Sequence, residues 1–299
     1  MRLTVLRHLD LEAPLLPGLP SHISAASGMA RTGEWLHVVP DDGVVVSTFR
    51  LGSNEPGRVH PLFTDTVLSP DEVERKKAKP DLESMTVVPW SSGQALLTLG
   101  SGSTPGRCRG VLQPLYDCGE VDGAALVFDL TPLYAGLPYR ERNIEGVAVV
   151  GGRLFLGQRG NSAEGRNELV ELDLAAALAC LAEGRAWGPN LLKECKPVGL
   201  GTVMGVRLTL TDLTAYGPHH LLISAAAEDT DNPYDDGAIL GSVLGRYSLL
   251  DGTLSMVSLD GPWKVEGVEA LDDGRILMVT DGDDPLHPAA LLQATDVHF

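Results

Sequence analysis

The chain reads as an all-β protein, a five-bladed β-propeller, and three observations carry that reading. Glycine (34) and proline (20) are frequent while only 5% of the 299 residues are aromatic, a balance that favours short strands joined by turns over a helical bundle. A short motif recurs five times along the chain. After each copy comes a turn and then a second apolar run, the pattern of a hairpin.

The five copies are Ala26-Ser27-Gly28-Met29-Ala30, Leu82-Glu83-Ser84-Met85-Thr86-Val87, Ile144-Glu145-Gly146-Val147-Ala148-Val149, Leu210-Thr211-Asp212-Leu213-Thr214-Ala215 and Val265-Glu266-Gly267-Val268-Glu269-Ala270. Aligned on their second residue they fall at 27, 83, 145, 211 and 266, so the spacings are 56, 62, 66 and 55, the length of one four-stranded blade each. Turns at Pro40-Asp41-Asp42-Gly43, Ser92-Gly93, Gly151-Gly152, Gly217-Pro218 and Asp272-Asp273-Gly274 lead into the second runs. Those runs are Val44–Ser47 (or Trp35–Val38), Ala95–Leu99, Leu154–Leu156, Leu221–Ser224 and Ile276–Val279. A radial array leaves an exposed edge unless its ends join. The N-terminal Leu3–Arg7 is therefore expected to supply the outer strand of the last blade beside Leu291–Ala294. This makes one domain over residues 1–299. Two helices are expected on the rim, Pro70 to Ala78 with Ser69 as N-cap and Leu174 to Glu183 with Asp173 as N-cap.

Charge and composition exclude several function classes. With 23 basic against 40 acidic residues (net charge −17) and no basic stripe, the chain lacks the means to neutralise phosphates, so no nucleic-acid partner is expected. No stretch approaches the roughly 18 uninterrupted apolar residues of a membrane helix, and Asp10 and Glu12 interrupt any signal-peptide core. A cytoplasmic protein without a membrane partner is the expectation. Cys108, Cys118, Cys180 and Cys195 show no C-x-x-C spacing, which excludes a zinc ribbon and leaves free thiols.

In a propeller the first strand of each blade lines the central channel, so Ser27, Glu83, Glu145, Thr211 and Glu266 are expected to converge. Three carboxylates in a narrow channel repel one another and either take up protons or share a cation. An all-oxygen donor set selects a hard ion, Ca²⁺ first and Mg²⁺ second. Asp81, Asn143 and Asp212 flank these positions. Antiparallel geometry puts the loops after each second strand on the same face. They read Thr48-Phe49-Arg50, Gly100-Ser101-Gly102-Ser103, Gln158-Arg159-Gly160-Asn161, Glu228-Asp229-Thr230-Asp231-Asn232 with Asp235-Asp236-Gly237, and Thr280-Asp281-Gly282-Asp283-Asp284. Lys79, Arg142, Arg207 and Lys264 precede the ring positions.

A cation, a carboxylate base (Glu228 or Asp229) and Arg159 as an anion clamp are the parts of metal-assisted hydrolysis of a small-molecule substrate, a phosphoester, phosphoanhydride, ester or lactone. The alternative is a non-catalytic propeller that the ion stabilises and whose polar face binds a small ligand or a protein. Other motifs fail. Pro233 and Tyr234 break the EF-hand spacing after Asp229-x-Asp231-Asn232, Gly100-x-Gly102 lacks the third glycine of a dinucleotide fingerprint, and His219-His220 falls in a turn on the opposite face.

The order Ser27, Glu83, Glu145, Thr211, Glu266 resembles that of the calcium-activated apyrase family, five-bladed propellers with one Ca²⁺ in the channel, and Lys264-Val265-Glu266-Gly267-Val268-Glu269 looks like that family's last-blade Glu-Gly motif. The resemblance implies calcium ligation by those five residues. Glu-Gly strand starts are also similar to those of esterase-like phytase and gluconolactonase-type propellers, so the motif points to a metal-centred propeller more than to one reaction.

Overall fold

Each repeat folds as an antiparallel meander because its apolar runs are short, rich in branched residues and separated by turn residues. The computed structural model of the protein describes residues 1–161, 165–229, 238–282 and 284–299. Strand β1 (Arg2–His8) comes first in the chain. Blade 1 follows with β2 (Ala26–Thr32), β3 (Trp35–Pro40), β4 (Val45–Arg50) and β5 (Arg58–Pro61), and blade 2 with β6 (Leu82–Trp90), β7 (Gly93–Gly100), β8 (Arg109–Leu115) and β9 (Leu126–Asp129). Blade 3 holds β10 (Ile144–Val150), β11 (Arg153–Gln158), β12 (Glu168–Leu172) and β13 (Leu192–Pro197). A two-residue strand β14 (Thr202–Val203) precedes blade 4, which is β15 (Val206–Ala215), β16 (His220–Asp229), β17 (Ala238–Ser248) and β18 (Leu254–Ser258). Blade 5 is β19 (Val265–Ala270), β20 (Ile276–Thr280) and β21 (Ala290–Thr295), completed by β1, whose Arg2 faces Thr295 and whose His8 faces Ala290. The expected closure holds.

The core lies between blades, not inside one sheet. Five apolar clusters occupy the five interfaces: Val39 with Met85, Leu99 with Ile144, Phe155 with Leu210, Leu244 with Met278, and Leu277 with Met29 each belong to one of them. A blade must therefore be apolar on both faces, which is why β3 and β11 are almost continuously buried and do not alternate. The outer strand β1 is largely exposed.

The register of every innermost hairpin slips by one residue at the same place. The extra residues are Ser27, Glu83, Glu145, Thr211 and Glu266, the five positions that the repeat aligns. A bulge re-aims the side chain of its extra residue, here at the start of the strand that lines the channel. The residue after it meets the next blade. A Cβ on Gly28 would lie 2.9 Å from Met85 N, one on Gly146 2.7 Å from Leu213 N, and one on Gly267 3.2 Å from the Ser27 carbonyl oxygen. Where that position is Asp212, the side chain bonds the neighbour instead, its Oδ2 accepting from Val268 N at 2.8 Å. The Glu-Gly pair thus has two causes, a bulge for the glutamate and blade contact for the glycine.

Blade 1 takes the alternative second run, Trp35–Val38, while the turn expected at Pro40–Gly43 and the loop expected at Thr48–Arg50 fall elsewhere. Its first turn is at Gly33-Glu34, so Trp35–Pro40 is the second strand, Pro40-Asp41-Asp42-Gly43 lies on the ring face and Thr48-Phe49-Arg50 ends the third strand. The rim helices α1 (Glu72–Ala78) and α3 (Leu174–Ala182) form near their expected places. Asp173 caps α3 as expected, but Asp71 caps α1, because its side chain accepts from Glu74 N and Ser69 Oγ bonds only Asp71 N. A third helix, α2 (Thr131–Ala135), was not expected; its Tyr134 packs in the interface between blades 2 and 3.

Gly146→Ala is expected to destabilise the chain by about 1–3 kcal/mol, since backbone cannot yield as a side chain does. Gly106→Ala, with nothing within 4 Å of the added carbon, is expected to leave the thermal midpoint unchanged. Equal midpoints for the two variants would contradict the proposed blade contact.

Candidate functional site

Two tiers of residues converge at one end of the channel. The bulge residues form the first. The second stands just past the second strand, where the N–H groups of Asp41, Ser101, Arg159 and Asp281 donate to the carbonyls of Ala25, Asp81, Asn143 and Lys264 at 3.2, 2.9, 2.8 and 3.0 Å. Four blades thus place a rim side chain by the same backbone bond, two residues before the ring position.

The charges divide into two groups. On blades 3 to 5, Arg159 Nη2 donates to Glu228 Oε1 at 2.7 Å, while its Nη1 lies 3.5 Å from Glu145 Oε1 and 3.8 Å from Glu266 Oε1. Lys264 Nζ lies 3.4 Å from Glu266, 3.7 Å from Glu228 and 3.3 Å from Asp281. Asn143 Nδ2 donates to Glu145 Oε1 at 2.5 Å. Thr211 Oγ1 donates to the Val265 carbonyl at 2.7 Å. On blades 1 and 2, Lys79 pairs with Asp41 and, at 2.8 Å, with Asp81, whose Oδ2 also accepts from Arg107 Nη1 at 2.8 Å and Ser101 Oγ at 2.5 Å. Glu83 stands beside them. One carboxylate oxygen each from Asp41, Asp81 and Glu83 lies within 4.8 Å of the others. Among the described residues Glu83 is the ring carboxylate with no hydrogen bond or ion pair, and it keeps partial contact with solvent.

Burial disfavours the charged carboxylates. It raises Glu83 well above the usual range, with Glu145, Asp81 and Asp41 adding to the effect. Burial also pushes Glu145 up to about 8, against the pull of Arg159, and Glu266 up to about 7, against Lys264 and Arg159. For Arg159 burial acts downward, but Glu145, Glu228 and Glu266 outweigh it and hold the guanidinium charged. Removing any one member strands buried charge.

All five ring residues expected from sequence lie at the channel end, and Ser27, Glu145, Thr211 and Glu266 are buried. Arg159 and Glu228 are brought together. Arg159 is committed to carboxylates, however, and an incoming anion would have to displace one of them. The side chain of Asp229 and residues Thr230 to Gly237, with Asp283, lie outside the described residues. Lys79 and Lys264 reach the site, Arg207 stays on the rim against the Gly165 carbonyl, and the Arg142 Nε is buried without a hydrogen bond among the described residues. His219 is exposed in its turn. The residue that sequence reasoning missed is Asp41; the Pro40–Gly43 turn signal was visible, but its assignment to the first hairpin sent it to the wrong face.

A family of unknown function, DUF6929, matches residues 22–295. The chain belongs to that family. No curated protein matches it. Among solved structures, this chain is similar to a glucose dehydrogenase (12% identity, 99% of this chain and 100% of that one, TM-score 0.47). It is also similar to a luciferin-regenerating enzyme (13% identity, 91% and 78%, TM-score 0.43) and a streptogramin B lyase (10% identity, 97% of each, TM-score 0.41). Among the described residues of this DUF6929 chain no helix is long and apolar enough to cross a membrane.

The buried acids fix a pH dependence. Glu269, held beside Arg31, is raised by burial to about 8, like Glu145. Acids with a raised folded pKa contribute stability that is complete below their unfolded value and is lost as pH rises through the folded one. His37 acts oppositely: burial, then His60, lowers it to about 3, so its contribution is present above the unfolded pKa near 6.5 and fades as pH falls below that. Lowering pH from about 9 to about 7 is expected to raise the thermal midpoint, and Glu269→Gln to flatten that slope. A midpoint that falls over this interval would contradict the assignment.

Proposed function

We propose that the chain is a hydrolase working at the glutamate end of the channel on an ester or lactone, assisted by a hard divalent cation, calcium before magnesium. The observation that supports it most is the convergence of five bulge positions on one buried cluster in which Glu145, Arg159, Glu266, Glu228 and Lys264 lie within 2.7 to 3.8 Å of their ion-pair partners. Glu228 is tied to both cations, so Glu145, which Asn143 orients, takes the proton of a water that attacks the acyl carbon and returns it to the alkoxide that leaves as the acyl C–O bond breaks. Arg159 and Lys264 supply the positive field for an oxyanion that develops above them. Phosphoesters and phosphoanhydrides fit less well, since the arginine is already paired and the mouth is rich in acids.

The donor set suits the cation best on blades 1 and 2. Asp41, Asp81 and Glu83 span a distance that ligands at about 2.3–2.6 Å from one hard ion can bridge. The wider ring of Ser27, Glu83, Glu145, Thr211 and Glu266 is the set that the apyrase-like order implies, and there Arg159 already faces Glu145 and Glu266, and Lys264 faces Glu266. Such an ion would polarise a substrate oxygen. A second reading has its own support: Arg159 of blade 3, Glu228 of blade 4 and Glu266 of blade 5 form an inter-blade staple, which suits a non-catalytic propeller that binds a small ligand or a protein partner.

The test is turnover of p-nitrophenyl esters and lactones with added calcium and with chelator. Calcium-dependent turnover that drops about 100-fold or more in Glu145→Gln is the expected result. Loss of the calcium response in Glu83→Gln but not in Thr211→Val supports the blade 1 and 2 seat. No turnover, with chelation lowering only the melting temperature, would establish the scaffold reading instead.

A further inference from the structure

The cations seated around the channel mouth are matched to acids. Lys79 meets Asp41 and Asp81, Arg75 meets Asp42, Arg107 meets Asp81, and Arg159 and Lys264 share Glu228 and Glu266. Arg142 is seated there too, half-buried, and among the described residues no carboxylate meets it. It stands one residue before Asn143, whose carbonyl accepts from Arg159 N at 2.8 Å and whose Nδ2 donates to Glu145 Oε1 at 2.5 Å. Its loop is pinned across the seam between blades 2 and 3, where Ile144 N donates to the Ser101 carbonyl at 2.9 Å. At that seam Tyr134 Oη donates to the Gly100 carbonyl at 2.8 Å, and the ring fills the space beside Gly102, where an added Cβ would lie 2.5 Å from Cδ2. Burial raises the Tyr134 phenol and the Cys108 thiol, with Arg142 opposing it in both, so the guanidinium is lodged beside two groups that stay neutral. Its Nε is buried and bonds nothing among the described residues. A partly buried charge without a counter-charge is unfavourable, and in a chain with 40 acids and 23 bases a partner would be easy to supply.

We propose that Arg142 is the specificity-determining residue of this mouth and seats a carboxylate carried by the substrate, away from the ester or lactone group that reacts at Glu145. A guanidinium pairs with a carboxylate through parallel N–H bonds, a recognition that an ammonium cannot reproduce. Arg159 cannot take this part, because Glu145, Glu228 and Glu266 already hold it. Arg142 and Glu145 stand three residues apart on one strand entry, so their backbones are separated by at most roughly 11 Å, within reach of a small ester that bears an acid at its far end. A singly charged carboxylate suits the place better than a phosphate dianion, since the acids of the mouth repel a second negative charge. The reacting end of this ligand rests on the hydrolase reading; the anion contact with Arg142 does not.

Two esters of matched leaving group, p-nitrophenyl acetate and the mono-p-nitrophenyl ester of glutaric acid, test it on the full chain. The acid-bearing ester is expected to have the higher kcat/KM, and Arg142→Gln to lower that value about tenfold or more through KM while leaving the acetate ester unchanged. Arg142→Lys, which keeps the charge without the fork, is expected to recover part of the loss. Arg140→Gln, which removes the same charge from an exposed residue of the same loop, leaves both esters unchanged. The same preference between the esters in wild type and Arg142→Gln overturns the proposal. Isothermal titration with glutarate, and separately with inorganic phosphate, at constant ionic strength reads the contact without turnover. Saturable glutarate binding that Arg142→Gln weakens about tenfold, in a chain that turns over neither ester, removes the hydrolase and keeps the carboxylate seat. Tighter binding of phosphate than of glutarate overturns the carboxylate assignment, and saturation by neither anion in a chain without turnover overturns the seat with the hydrolase.

Discussion

Five strands meet around one narrow channel, and everything else in the molecule accommodates that close approach. Backbone from neighbouring blades comes so near that three of the five positions after the ring admit no side chain, as at Gly28, Gly146 and Gly267. A fourth, Asp212, turns the contact into a hydrogen bond to Val268 N. The slip in register just before each of these points then sends one side chain toward the axis. Packing between blades and presentation of polar groups are therefore one design, repeated.

Bringing carboxylates so close together carries a large desolvation cost, and the chain meets it with its own cations. Arg159 serves Glu145, Glu228 and Glu266, Lys264 serves Glu228, Glu266 and Asp281, and Lys79 serves Asp41 and Asp81. Because each cation comes from a different strand or blade from most of its partners, the cluster ties the rim together, and Arg159 and Lys264 pull against the burial that raises Glu145 to about 8 and Glu266 to about 7. A divalent ion and a basic side chain are alternative answers to the same repulsion, and Glu83, which has no ion pair among the described residues, marks where the protein's own answer is least complete.

Much of this was legible in the residues. The repeat spacing located all five bulges to the residue, since a propeller imposes one geometry on every blade and the sequence must answer it each time. The first hairpin was misplaced because Pro40-Asp41-Asp42-Gly43 is a stronger turn signal than Gly33-Glu34, though a single glycine with φ of +57° suffices for the tighter turn. The cap of α1 moved from Ser69 to Asp71 because both are good caps and only the backbone path chooses between them. Helix α2 escaped notice: five residues with a proline near their start give no periodicity to read.

By itself the sequence determined the all-β class, the number of blades, the closure by β1 and which side chains point to the axis, because each follows from local patterns that recur with a period. Only the tertiary structure decided who neutralises whom. Whether Arg159 faces an incoming anion or three glutamates, and whether Asp41 joins Glu83, depend on distances between residues far apart in the chain. Coulomb and desolvation energies vary with ångström separations that no spacing along a single strand encodes.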